Sequence, residues 1–294
     1  MAKEAKNKTW KGKTDGTPWM QRTLILLIRI SPLWLIYALM SLTIPFYLVF
    51  AEGFYASYHF FRDRIGFGPV KSFFMTFVNE YNLGKVVIDR FAAYGGKTFR
   101  IEVEGQDIYD SLCARETGFV TLSSHVGNYE LAGYFLKATK RINALVYSGE
   151  AATVMEGRTN RFSQTNIRMI PIKEDFSHIF ALNEALSNGE IVSIAGDRLF
   201  GADRNLKSGF MGEKASFPMG PFLIAVQRDI PMAAVFVMKE SVRKYKAYVF
   251  RLPDTEGMSR NEKTQALCDA YAGHLESIVK RYPAQWYNFY DFWA

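Results

Sequence analysis

The chain has 294 residues, 49% of them hydrophobic and 15% aromatic, which is ample apolar material for the core of one large domain or two small ones. Its formal net charge is +7, of which +5 falls within residues 1–29, so the body is nearly neutral; with no DNA- or RNA-binding motif, this argues against nucleic acid as a partner. The two cysteines, Cys113 and Cys268, sit far apart in no paired motif and the four histidines are dispersed, which argues against a disulfide scaffold and against a zinc or other metal site and fits a reducing compartment.

Residues 1–22 read as a basic, flexible N-terminus. A basic head directly before an apolar run suits an anionic membrane surface. Residues 30–51 then contain no charge, bounded by Arg29 and Glu52. A run of about 20 residues is long enough to cross the hydrocarbon core of a bilayer. Trp34, Tyr37, Phe46 and Tyr47 are rings at home at the interface, whereas Pro32 and Pro45 interrupt a straight span. No small-residue cleavage site follows, so the run reads as an uncleaved anchor. Basic residues flank both of its ends, so the positive-inside rule gives no orientation. A tilted single span and a helix lying in one leaflet both satisfy those flanks, and a buried helix of a soluble core is the third reading. Aromatic residues at helical spacing follow (Phe54, Tyr58, Phe61; Phe73, Phe74, Phe77, Tyr81), so residues 23–97 as a whole read as a membrane-associated helical region.

From residue 98 to 294 short apolar runs alternate with helical stretches. Strands are predicted over 99–105, 118–122, 143–147, 169–172, 190–195, 232–237 and 245–252, and helices over 130–140, 178–187 and 263–281. Alternation of this kind implies an α/β sheet covered by helices on both faces, with functional residues beyond the strand ends.

The most informative string is Ser123-Ser124-His125-Val126-Gly127-Asn128-Tyr129-Glu130, at a junction of strand end, tight turn and helix start. Positions five apart diverge by roughly 140° on a continuous helix and share no face. With His125 at the strand end and Glu130 in the first helical turn, both side chains can converge; Gly127 permits the sharp backbone and Asn128 suits an N-cap. A histidine oriented by a carboxylate is a general base, so His125 and Glu130 are the candidate catalytic pair. No Gly-x-Ser-x-Gly elbow, Walker motif or dinucleotide fingerprint occurs, and neither cysteine is expected to have a nearby histidine to activate it. A base without a protein nucleophile favours direct transfer from an activated carbonyl to a bound hydroxyl or amine, with hydrolysis as the nearest rival and a non-catalytic membrane lipid-binding protein as the distant one. Arg198, beside Asp197 at the end of an apolar strand, is placed to bind a phosphate or an oxyanion, with a surface salt bridge as the alternative. Arg158 and Arg161 form a second basic cluster, equally readable as a solvated loop. The apolar stretch 210–222, punctuated by glycine and proline, suits an acyl-chain wall or simple core packing.

His125-Val-Gly-Asn-Tyr-Glu130 resembles the His-x-x-x-x-Asp/Glu block of glycerolipid acyltransferases, and in particular the His-x-Gly-Asn-Trp-Glu form of the bacterial lipid A late acyltransferases. Arg158 and Arg161 fall where that family has an Arg-bearing second block, Asp197-Arg198 where it has its third, and Pro231-Met232-Ala-Ala-Val235 resembles the hydrophobic fourth. The ending Pro283-Ala-Gln285-Trp286-Tyr-Asn288-Phe-Tyr-Asp-Phe-Trp293 is similar to the Pro-x-Gln-Trp-x-x-Phe ending of the lipid A group. The sequences around Asp197-Arg198, 217–222 and 288–293 look closer to a side branch associated with aryl-polyene or flexirubin-type lipids. The resemblance implies a glycerol-3-phosphate acyltransferase-like mixed α/β sheet of seven-stranded type flanked by helices, with an N-terminal membrane-associated helix. It also implies catalysis by His125 and Glu130, and substrate binding by Asn128, Arg158, Arg161, Asp197 and Arg198. The implied donor is an acyl thioester of acyl carrier protein or coenzyme A, with no further cofactor. The implied partners are acyl carrier protein and a membrane lipid acceptor, at the cytoplasmic side of the cell inner membrane.

Overall fold

Among the described residues seven strands build one sheet in the order β1 (Arg100–Glu104), β9 (Lys244–Arg251), β8 (Met232–Lys239), β2 (Phe119–Ser123), β5 (Ile191–Ala195), β3 (Ile142–Val146) and β4 (Ile167–Pro171). The computed structural model describes residues 18–45, 53–132, 138–146, 166–173, 175–199 and 204–293. Pairing is parallel throughout except between β8 and β9, which are antiparallel. Each strand expected from the sequence is present within a few residues, and the mixed α/β architecture is as the resemblance implied.

All eight residues of β8 are buried, as a strand covered on both faces requires. Its alternate side chains sort the core into two sides. Met232, Ala234, Phe236 and Met238 join the cluster containing Phe222 of α7 (Gly220–Arg228) and Leu267, Tyr271 and Leu275 of α8 (Arg260–Arg281). Ala233 and Val235 face Tyr109 and Leu112 of α5 (Gln106–Cys113), while Val237 meets Ile28, Leu33 and Tyr37 of the N-terminal helices. Helix α6 (Ser177–Ser187) covers the β4–β5 side through Leu182, Ala185 and Leu186. At the outer edge, β1 alternates exposed Arg100, Glu102 and Glu104 with half-buried Ile101 and Val103, and Lys244 and Lys246 pair with the two glutamates at 3.1 and 2.7 Å. Charge on an edge strand discourages pairing with another chain.

The sequence gives no clear sign of α5, nor of the hairpin β6 (Asn205–Phe210) to β7 (Glu213–Pro218). The hairpin's two-residue turn uses Met211 and Gly212, both with positive φ, as a tight hairpin demands. Phe210, Phe217 and Phe222, candidates for an acyl-chain wall, are wholly buried in the core.

The uncharged run over 30–51 is not one helix. Helix α1 (Pro18–Ile30) ends before Pro32, which is extended, and α2 (Leu33–Ser41) starts after it; residues 46–52 lie outside the described residues. Among the described residues no helix is long and apolar enough to cross a membrane. Ile28, Leu33 and Tyr37 are buried against the domain, whereas Trp19, Ile30, Trp34, Leu39 and Leu42 stay between 59 and 73% exposed. After α3 (Phe54–His59) and a π-helical turn at Phe60–Arg64, Pro69 opens the long α4 (Pro69–Tyr94). The buried side of α4 carries Ser72, Thr76, Asn79, Glu80 and Asp89 beside Val86, Ile88, Ala92 and Ala93. Of the helix expected over 130–140 the described part is a 3-10 turn, Tyr129–Leu131, and residues 133–137 lie outside the described residues.

Glu80 is 5% exposed, and burial pushes its carboxyl up to about 7. A raised folded pKa means that the fold prefers the neutral acid, so Glu80 contributes fully below the unfolded value and loses that contribution as pH rises through about 7. Glu80→Gln is expected to raise Tm by on the order of 2–4 °C at about pH 8, and by clearly less at about pH 5, in scanning calorimetry.

Candidate active site

The register Ser123↔Ala195 aligns the ends of β2 and β5, and the Gly196 N–H donates to the Ser123 carbonyl at 2.9 Å, carrying the pairing one residue further. His125 and Asp197 each lie two residues beyond this pair and therefore leave the sheet side by side. One Asp197 oxygen accepts the backbone N–H of His125 at 2.7 Å, and the other lies 2.8 Å from His125 Nδ1. Asp197 is 2% exposed by its side chain and His125 17%, so the carboxylate is sealed while the histidine side chain is only partly buried. The Tyr129 ring stands edge-on to the imidazole, with centroids 5.7 Å apart.

Burial opposes ionisation of Asp197, but His125, through charge and hydrogen bonds, and Arg198 outweigh it and hold the carboxyl below the ordinary carboxylate range. Tyr271 packs against the same corner: its hydroxyl donates to the Ser123 carbonyl at 2.8 Å and its ring lies where a side chain on Gly196 would stand. Burial, followed by the charge of Asp197, raises its phenol far above the ordinary value, so it remains a donor.

The sequence reading gave the orienting task to Glu130 and substrate binding to Asp197. The contact at Nδ1 belongs to Asp197 instead. Among the described residues Glu130, 8% exposed, is held from α4: the Arg90 guanidinium lies 3.1 Å from its carboxylate and the Tyr94 hydroxyl donates to it at 3.0 Å. The reason lies in the backbone. Tyr129–Leu131 form a 3-10 turn after Asn128, so Glu130 sits within a turn tighter than the expected α-helix. Asn128 makes no side-chain cap either; its amide donates to the Tyr245 hydroxyl at 3.4 Å.

The turn is pinned from two more directions. The Asn128 N–H donates to Val237 of β8 at 2.7 Å, and the C-terminal segment supplies a carbonyl from Gln285 to the Gly127 N–H at 2.8 Å and an N–H from Tyr287 to the His125 carbonyl at 2.9 Å. Arg198 donates to the Tyr287 carbonyl at 2.9 Å, and its buried Nε has no hydrogen-bond partner among the described residues. Among the described residues Arg198 is thus engaged with the C-terminal segment. Arg158 and Arg161 lie outside the described residues. Among the described residues no group of three or more His, Cys, Asp or Glu side chains is placed to hold a metal ion.

Residues missed by sequence reading are Tyr271, Tyr245 and Gln285, which act on the turn from other elements. Only Gln285 carried a signal, as part of the C-terminal Gln-Trp motif.

A family model described as bacterial lipid A biosynthesis acyltransferase matches residues 96–294. Among solved structures the chain is similar to the 1-acyl-sn-glycerophosphate (LPA) acyltransferase PlsC from Thermotoga maritima, with 15% identity, a TM-score of 0.42, and coverage of 84% of this chain and 98% of that one. No curated protein matches the sequence.

Gly127 has φ +53 and a Cβ there would collide with the Val237 carbonyl oxygen, whereas Gly212, at φ +88, has open space around it. Gly127→Ala is expected to cost about 2 kcal/mol or more in chemical denaturation, and Gly212→Ala only the left-handed penalty of about 1 kcal/mol.

Proposed function

The chain belongs to the bacterial lipid A biosynthesis acyltransferase family, and on that premise we propose that it carries a fatty acyl chain from an acyl-carrier-protein thioester to a hydroxyl or amine of a membrane lipid. The observation that carries this reading is the His125–Asp197 pair: an imidazole with Nδ1 on a sealed carboxylate, its own side chain only partly buried.

With Nδ1–H donated to Asp197, the lone pair of His125 resides on Nε2. Nε2 takes the proton of the acceptor hydroxyl or amine as that atom attacks the thioester carbonyl carbon. The tetrahedral oxyanion collapses, the carbon–sulfur bond breaks, and the imidazolium returns its proton to the departing sulfur. Asp197, ionised throughout, stabilises the imidazolium, which is why both of its oxygens are turned on one histidine. Arg198, Arg158 and Arg161 bind the polar parts of donor and acceptor in this reading, a guanidinium matching a phosphate in geometry as well as in charge, while Asn128, 1% exposed with its amide on Tyr245, holds the turn from within. Glu130, gripped by Arg90 and Tyr94, holds the far end of the turn.

A water-borne donor and a lipid acceptor meet at an interface. The exposed apolar side of α1 and α2 supports attachment in the plane of one leaflet, on the cytoplasmic face of the inner membrane, where acyl carrier protein is available.

The test uses the full chain in vesicles of bacterial envelope lipids with lauroyl-acyl carrier protein, read by mass spectrometry of the lipids. A lipid heavier by one acyl group is the expected product; free fatty acid with no acylated lipid overturns transfer in favour of hydrolysis. His125→Ala and Asp197→Asn are expected to lower turnover about 10³–10⁴-fold, by analogy with hydrolase triads, and Glu130→Gln by less than Asp197→Asn. Full turnover in both of the first two variants rejects the mechanism. Replacing Trp34 and Leu39 together by glutamate is expected to reduce co-sedimentation with the vesicles without lowering Tm; an unchanged bound fraction removes α2 from the attachment.

A further inference from the structure

Asp89 is wholly buried, and its carboxylate gathers groups from three other elements. Lys239, the last residue of β8, places Nζ 2.5 Å from Oδ2, the Tyr245 hydroxyl of β9 donates to the same oxygen, and the Tyr37 hydroxyl of α2 donates to Oδ1. Lys239 Nζ also donates to the Tyr37 hydroxyl and to the Val242 carbonyl, both at 3.2 Å. The rings of Tyr245, Tyr37 and Phe99 lie 4.7, 5.3 and 5.8 Å from the ammonium. Burial pushes the Asp89 carboxyl up and the Lys239 ammonium down, and each group restrains the shift of the other.

A buried ion pair is a poor source of net stability, because desolvation of both charges offsets most of their attraction. Its geometry is more telling. Two arms leave this centre and end on the same turn. Through Tyr245, whose hydroxyl also accepts the Asn128 amide at 3.4 Å, it reaches the middle of the His125–Glu130 segment. Through the Lys239 backbone it reaches Gln285: the Gln285 side chain accepts the Lys239 N–H at 2.9 Å and donates to its carbonyl at 2.8 Å, while the Gln285 carbonyl accepts the Gly127 N–H at 2.8 Å. The opposite side of the centre is made by α2 and α4, the helices of the N-terminal region.

We propose that the Asp89–Lys239 centre positions the His125 turn according to how α2 and α4 are seated, with Tyr245 and Gln285 as the positioning residues that carry the constraint. The inference rests on the reading of His125 as the base. It links attachment of the N-terminal helices to the geometry of the reacting group: displacing α2 withdraws Tyr37 from the centre, and the carboxylate then holds Tyr245, and through it Asn128, differently.

The test measures thiol release from lauroyl-coenzyme A by the full chain in vesicles of bacterial envelope lipids. Tyr245→Phe removes one hydroxyl and leaves the ring in the core. The expected result is a fall in kcat of about ten-fold with KM within about two-fold, the signature of a misplaced reacting group. Because the effect passes through Asn128, adding Tyr245→Phe to Asn128→Ala should lower kcat by less than about two-fold more. Multiplying losses would show that Tyr245 acts on general stability and would overturn the proposal. If Tyr245→Phe does not fold, Tyr37→Phe, which touches the centre but not Asn128, carries the test: about a three-fold loss in kcat at unchanged KM supports it, and wild-type kcat rejects it. His125→Ala separates the two readings. An inactive His125→Ala beside a fully active Tyr245→Phe overturns the positioning role alone, whereas an active His125→Ala overturns the base and this inference with it.

Discussion

One buried carboxylate takes both the backbone N–H and the ring nitrogen of His125, and the rest of the site is arranged around that pairing. It exists because β2 and β5, more than 70 residues apart in sequence, are parallel neighbours in a register that brings Ser123 beside Ala195. A slip of one residue would turn every side chain to the opposite face and send Asp197 away from the imidazole. The register is protected by what flanks it. Phe119, Val120 and Leu122 on β2 and Ile191 and Val192 on β5 are wholly buried, so slipping would carry Thr121 and Ser193 into places shaped for larger apolar groups. Packing energy in the sheet therefore sets the hydrogen bond at its end.

The C-terminal segment is the second constraint. Trp286 forms an isolated bridge with Val126, and its ring sits in a cluster with Phe60, Phe210, Phe292 and Trp293, at centroid distances of 4.7 to 5.9 Å. Aromatic pairs in that range add edge-to-face attraction to the burial of large surfaces. The turn bearing His125 is thus held on one side by β8 and on another by the last residues of the chain, themselves anchored against the π-helical turn and the hairpin. Asn79 and Asn82 of α4 donate to the Trp286 and Ala284 carbonyls at 3.0 and 2.9 Å, which explains why that helix buries asparagine where an apolar residue would be expected.

Much of this was legible in the sequence, and what was not has identifiable causes. Buried strands such as residues 232–239 announce themselves as unbroken apolar runs, and the sheet follows from them. The hairpin was hidden because Lys207 and Lys214 alternate with small residues, so its apolar face is carried by Leu206, Phe210, Ala215 and Phe217 with no unbroken run. Helix α5 was hidden by its brevity, eight residues with only Ile108, Tyr109, Leu112 and Cys113 apolar. In the site, spacing alone could relate His125 to Glu130 because both lie in one segment. The partner actually found at Nδ1 comes from another strand, and no local pattern encodes which strand lies next door. Asp197-Arg198 was visible as polar residues at a strand end; its pairing with histidine was a matter of sheet order.

The same geometry bears on why direct transfer, rather than a covalent acyl-enzyme, is the chemistry in the proposed reaction. A nucleophilic cysteine must be available as thiolate, yet burial raises the thiols of both Cys113 and Cys268, the latter to about 12. Ser124, next to the histidine in sequence, is 1% exposed, and adjacent residues on an extended segment point apart. In the proposed reaction the acceptor supplies the nucleophile itself, and the protein's part is to hold a base still while excluding water that would compete for the thioester. A base on so short a turn is only as well placed as the contacts gripping it. That is why a sealed carboxylate, a β8 carbonyl and a C-terminal strap converge on four consecutive peptide units.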